Sequence, residues 1–282
     1  MKRAMKPTAL LAALALAPAA VPQDAHSAGD PRPGVLERVV VLGASLSEGY
    51  ELPCNLAAAF EASLARAHGP VRSHTGLYFF HDALHEGSRQ LEQALEAEPT
   101  LVVAVDFLFW FGYGSTNARG EPLASEDERL VLLEKGLDIL DELECPLVVA
   151  DFPDMSKTIG KMLAEAQVPA PETLVKLSQR VRAWARERGR TLVLPLAEIV
   201  QQHCAGRAVR IGRHEFPAGT ELLQEDELHP TLLGLTALAQ LVADELVQEK
   251  LAAEEDFTFD LDAVLATLRT EQRTKPTIGR GR

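Results

Sequence analysis

Three residues in this chain have the types and the spacing to carry out nucleophilic chemistry: Ser45, Asp226 and His229. A serine hydroxyl is a weak nucleophile at neutral pH, so it needs a base within hydrogen-bond reach and a third group that fixes the base's tautomer. Asp226 and His229 stand three residues apart. On one turn the carboxylate can accept from one imidazole nitrogen while the other nitrogen faces the serine. That arrangement supports acyl transfer: attack on an ester carbonyl, proton transfer through the imidazole, loss of the alcohol, and hydrolysis of the acyl-enzyme. Each piece alone has a plainer reading, the Gly43-Ala44-Ser45 turn as a helix cap or anion-binding turn, and Asp226 to His229 as a helix N-cap with a surface imidazole.

The element that must position Ser45 is Arg38 to Tyr50, RVVVLGASLSEGY, an apolar run that leaves the core through a Gly-containing turn. Similar apolar runs occur at 71–80, 101–105, 146–150 and 191–196, each followed or preceded by a helical pattern, at 56–68, 82–97, 127–144, 171–188 and 197–204. Repetition of strand and helix predicts an α/β fold: a doubly wound parallel five-stranded sheet, flavodoxin-like, in three α/β/α layers with strand order 2-1-3-4-5. Ligands meet such sheets at the carboxyl ends of the strands, which is where Ser45, Asp106 and Asp151 fall. The stretch from 205 to Asp226 reads as irregular, and a long helix is expected from about Thr231 to Glu249.

Gly43-Ala44-Ser45-Leu46-Ser47 with Gly49 resembles the first block of the SGNH, or GDSL, serine esterases and lipases, with Ala44 where most members carry Asp. Asp226-Glu227-Leu228-His229-Pro230 with Gly234 is similar to that family's last block, and the likeness spans roughly residues 36 to 250. The resemblance implies a Ser45–His229–Asp226 triad on an SGNH-type domain. It also implies an oxyanion site made from the serine N–H, a glycine N–H after the second strand, and an asparagine after the third. Here the aligned Gly and Asn positions of the third block hold Phe107 and Phe109. The remaining oxyanion candidates are the Ser45 N–H, Gly87 or Gly76, and Asn117 if its loop folds back.

Five aromatic residues crowd into Asp106 to Gly114 in a protein that is only 5% aromatic. They read either as a core plug or as a substrate surface, with Phe109 and Trp110 as lining candidates beside Asp106 and Asp151. Asp154 reads as a further lining residue or as plain turn chemistry. His81 and His85 share a helical face and, with Asp106 or Asp151, would suit a metal; without a clear third ligand the reading is a polar face and no metal.

Composition narrows the partners. With 46% hydrophobic residues the chain can bury a large core, and its formal charge of −13 repels phosphate backbones and anionic lipid. No nucleic acid, no cofactor and no stable membrane insertion after leader removal are expected. Residues 1–28 read as a signal peptide and leader, with Lys2, Arg3 and Lys6 before the apolar run from Thr8 to Val21, which points to a secreted or periplasmic protein. Residues 29–35 read as a linker, 36–255 as the SGNH-like domain, and 256–282 as a C-terminal extension with a largely disordered tail beyond Thr270. Cys54, Cys145 and Cys204 permit at most one internal disulfide, and none sits in a nucleophile's setting. The expected function is an exported serine esterase acting on a small-molecule, glycan or lipid ester. A catalytically weak or inactive binding protein of the same fold is the alternative, and a flavodoxin-like phosphate or nucleotide binder is a third reading.

Overall fold

The computed structural model describes residues 34–274; the leader 1–28, most of the linker and residues 275–282 lie outside the described residues. Five strands, β1 (Val39–Gly43), β2 (Arg72–Thr75), β3 (Leu101–Val103), β4 (Leu147–Ala150) and β5 (Thr191–Leu194), form one parallel sheet in the order β2-β1-β3-β4-β5. The order is the one expected. Strand β1 lies between β2 and β3, and its alternate side chains enter two cores.

On one face Val40 and Leu42 meet helices α3 (Ala83–Glu96), α5 (Asp127–Asp141) and α6 (Pro171–Arg188) through Leu91, Leu133, Leu137 and Leu177. On the other, Val39 and Val41 meet α2 (Leu56–Glu61), α8 (Leu232–Gln248) and α9 (Leu261–Thr274) through Phe60, Leu235, Val242 and Val264. Burial on both faces explains why the strands are continuous apolar runs rather than alternating ones. At about 1.5–3 kcal/mol for each buried Val or Leu, this double burial holds the end of β1 fixed. The remaining helices are α1 (Ser45–Glu48), α4 (Phe109–Tyr113) and α7 (Leu196–Cys204).

Several boundaries differ from expectation. The run 71–80 is a strand only over Arg72–Thr75; Leu77, Tyr78 and Phe80 are exposed around a short 3-10 turn, because β2 is an edge strand with little core to reach. Helix α2 stops at Glu61, where Leu64 makes an isolated bridge to Phe257 and the chain turns away. The stretch read as irregular contains a hairpin of β6 (Val209–Ile211) and β7 (His214–Phe216), with Val209 and Ile211 pointing inward and Arg210 outward. The segment beyond residue 255 packs into the second core through Phe257, Val264 and Leu268, and α9 continues to Thr274, so helix replaces the disorder expected from Thr270. Among the described residues no helix is long and apolar enough to cross a membrane.

Candidate active site at the end of the first strand

Strand β1 ends at Gly43, whose φ of +149° and crowded surroundings require glycine: a Cβ there would lie 2.1 Å from Asp106 Oδ1 and 2.6 Å from Ser47 Oγ. Gln90, fully buried on α3, pins this peptide from both sides, accepting from the Gly43 N–H and donating to its carbonyl at 2.9 Å each. The chain then turns into α1, with Ser45 as its first residue and Gly49 in the left-handed conformation as its stop.

A helix start leaves N–H groups without intrahelical acceptors. Asp106, at the end of β3, supplies them. Its Oδ1 accepts from the Ala44 N–H at 3.1 Å and the Ser47 hydroxyl at 2.6 Å; its Oδ2 accepts from the Leu46 and Ser47 N–H groups at 2.9 and 3.3 Å. The carboxylate therefore takes the amides on either side of Ser45 and leaves Ser45's own N–H. Burial pushes the Asp106 carboxyl upward, opposed by these same four hydrogen bonds.

His229 approaches from the far end of the sequence. Its Nε2 lies 2.9 Å from Ser45 Oγ, and its Nδ1 lies 2.7 Å from Asp226 Oδ2. An ionised carboxylate only accepts, so Nδ1 carries the proton and Nε2 is free to accept from the serine hydroxyl. Burial works against the Asp226 charge, but the His229 side chain and the backbone N–H groups of His229 and Leu228 outweigh it and hold this carboxyl below the usual carboxylate range. The imidazole is 2% exposed and is stacked by Tyr50, with ring centroids 4.1 Å apart at 24°. Asp226 to His229 is a tight turn rather than the first turn of a helix: Asp226 Oδ1 accepts from Leu228 and His229 N–H, Glu227 adopts φ +59°, and α8 begins only at Leu232 behind a Thr231 cap.

Ser45, His229 and Asp226 are thus brought together, 184 residues apart in sequence for the serine and imidazole. The fold that brings them together is a doubly wound α/β fold with a five-stranded parallel sheet. No family model matches the sequence, and no curated protein matches it. Among solved structures, the gut microbial diltiazem-metabolizing enzyme BT4096 is similar at TM-score 0.49 and 16% identity, over 73% of this chain and 46% of that one. TesA is similar at TM-score 0.43 and 16% identity, over 77% of this chain and 100% of TesA. The phosphatase-domain part of BF1531 from Bacteroides fragilis, complexed with Mg, is similar at 0.48 and 13%, over 76% of this chain and 52% of that one. This chain spans about half the length of the first and third.

On this α/β scaffold the other expected donors are not brought to Ser45. Gly87 lies inside α3 against Phe107 and Phe111, where a Cβ would meet their rings at 3.1 and 3.3 Å; it is a packing glycine. Gly76 donates its N–H to the Gly43 carbonyl at 3.1 Å. Asn117 ties its own loop, accepting from the Arg119 and Glu121 N–H groups and donating to Glu121 and Glu128. The aromatic segment divides between its two readings. Phe107, Phe111 and Tyr113 fill the core, while Phe109 and Trp110 face a cavity of about 120 Å³ that Ser45 and His229 also line.

Asp106 and Asp151 border that cavity with their oxygens engaged elsewhere. Asp151 pairs with Arg182 at 2.5 Å and accepts from the Ala197 N–H at 2.8 Å, capping the start of α7. Asp154 accepts from the Ser156 N–H, ordinary turn chemistry, and does not line the cavity. His81 packs on Phe80 and Tyr78, and no group of three metal-ligating side chains occurs among the described residues. Burial pushes the thiols of Cys145 and Cys204 up, away from the reactive thiolate. Sequence reasoning missed the cap formed by Asp106, the Tyr50 stack and the Gln90 clamp. A polar Gln within an α3 face otherwise built from Leu91 and Ala94 was the one available signal.

Proposed function

We propose that this chain is a serine hydrolase of carboxylic esters, with Ser45 as nucleophile, His229 as general base and then general acid, and Asp226 fixing the imidazole. The observation that carries this reading is the continuous path from Asp226 Oδ2 through His229 to Ser45 Oγ, with contacts of 2.7 and 2.9 Å. Attack by Oγ on the ester carbonyl transfers the serine proton to Nε2, and that proton then goes to the departing alkoxide. Water, deprotonated by the same nitrogen, hydrolyses the acyl-enzyme. The Ser45 N–H is the donor available to the developing oxyanion.

A second reading follows from that single donor. Loss of one oxyanion donor lowers turnover on the order of 100- to 1000-fold, so a weak enzyme or a binding protein on the same scaffold is the rival. Hydrolysis of p-nitrophenyl esters by the full chain separates them. Turnover that disappears in Ser45→Ala and falls at least about 1000-fold in His229→Ala supports the hydrolase; a folded protein without turnover supports the binder. Export is part of the proposal, motivated by the basic and apolar leader over residues 1–28. Recovery of a chain shortened at its N-terminus outside the cytoplasm is the expected result, and a full-length intracellular chain contradicts it.

A further inference from the structure

The two carboxylates that border the cavity beside Ser45 have no oxygen left to offer a ligand. Asp106 spends both oxygens on four donors at the head of α1, and Asp151 spends both on Arg182 and the Ala197 N–H. The remaining surface is apolar. Phe109 and Trp110 form one wall, Phe152 and Val200 another, and Ile211 and Leu238 lie at the side of the hairpin and α8. His203, the other titratable side chain on the wall, is half-buried on α7. A hydroxyl or a charge placed against the aromatic and aliphatic walls, away from His203, would lose its water without a partner, which disfavours groups as polar as a sugar or a phosphate.

We infer that this cavity is the acyl site of the enzyme, built for an unsubstituted apolar acyl group of about six carbons; the inference rests on the esterase reading above. The size follows from the volume: about 120 Å³ compares with an apolar protein cavity of roughly 150 Å³ that holds benzene. The assignment to the acyl side follows from the order of bond changes. In acylation the Ser45 Oγ–carbonyl bond forms, the ester C–O bond breaks, and the hydroxyl proton leaves with the alcohol through His229. The alcohol must exchange with water before deacylation, whereas the acyl group stays bonded to Ser45, so an apolar pocket beside Ser45 suits the group that stays.

The test is a series of p-nitrophenyl esters from acetyl to dodecanoyl, beside a series of acetate esters from methyl to hexyl, with the full chain. Each buried methylene is worth about fourfold in kcat/KM, so a rise on the order of 100-fold from acetyl to hexanoyl is expected, followed by a fall beyond about eight carbons. Val200→Phe, on the half-buried α7, is expected to lower the hexanoyl-to-acetyl ratio at least about tenfold. A flat series, an acetyl or dodecanoyl optimum, or a gain along the alcohol series in place of the acyl series overturns the inference and leaves the hydrolase standing. Binding gives a readout independent of turnover: hexanamide, and not acetamide, is expected to raise the melting temperature of Ser45→Ala, and less so in Ser45→Ala with Val200→Phe. If no ester is turned over but this shift appears, the pocket stands and the esterase falls; if the shift is absent, the pocket falls.

Discussion

Replacing Asp106 tests whether the head of α1 is held from outside. The wild-type carboxylate is 7% exposed and accepts four hydrogen bonds, from the Ala44, Leu46 and Ser47 N–H groups and the Ser47 hydroxyl. In Asp106→Ala all four donors lose their acceptor. An unsatisfied buried donor costs about 1–3 kcal/mol, and the Ser47 hydroxyl can rotate, so three orphaned amides give a loss of roughly 3–9 kcal/mol, enough to threaten folding. Asp106→Asn is the gentler probe. Its oxygen can serve Leu46 and Ser47 N–H while its amide donates to Ser47 Oγ, which leaves Ala44 N–H alone unpaired and a cost of about 1–3 kcal/mol. Because Ser45 N–H is carried by the same turn, a shift of it also weakens oxyanion binding, and kcat is expected to fall more than KM rises. Urea midpoints for the three proteins, with ester turnover under native conditions, provide the assay. An Asp106→Asn protein as stable and as active as wild type would refute this role for the carboxylate.

Other perturbations probe neighbouring contacts. Gly43→Ala drives a Cβ against Asp106 Oδ1 and Ser47 Oγ at a φ of +149°, so a loss of roughly 2–5 kcal/mol is expected in denaturant titrations, and an unchanged midpoint contradicts the crowding. Tyr50→Leu removes the ring stacked on His229 and the stabilisation of an imidazolium worth about 0.5–1 kcal/mol, so kcat is expected to fall about two- to fivefold while Tyr50→Phe stays near wild type; equal losses in both contradict stacking as the cause. Asp226 is held below the usual carboxylate range, so its charge stabilises the fold above the unfolded value of about 3.9, and that stability is lost as pH falls through the depressed folded value. Urea midpoints measured from about pH 6 down to 3 are expected to fall more steeply for wild type than for Asp226→Asn, and parallel curves contradict the sign.

The sheet was legible because a strand buried on both faces has to be a continuous apolar run, as in Val39 to Leu42 and Leu101 to Val103. The pairing of Ser45 with His229 was legible because each stands at a recognisable boundary of strand and turn. What escaped were features set by tertiary contact. Three-residue strands such as Val209–Ile211 give too little alternation to stand out, and the turn that joins them rests on a single glycine, Gly212 at φ +56°. Asp106 read as crevice-lining because its position at the end of β3 was visible, while the direction of its oxygens toward Ala44, Leu46 and Ser47 was not. Gly87 and Asn117 were drawn in by residue type alone. Their actual surroundings, aromatic rings for one and its own loop for the other, depend on packing that no local pattern encodes.

The most direct measurement is the intact mass and peptide map of the full chain after reaction with a fluorophosphonate. A single adduct on Ser45 is expected, absent in Ser45→Ala and formed at least about 1000-fold more slowly in His229→Ala. A well-folded protein that stays unmodified, or one labelled at another residue, contradicts Ser45 as the nucleophile and His229 as its base.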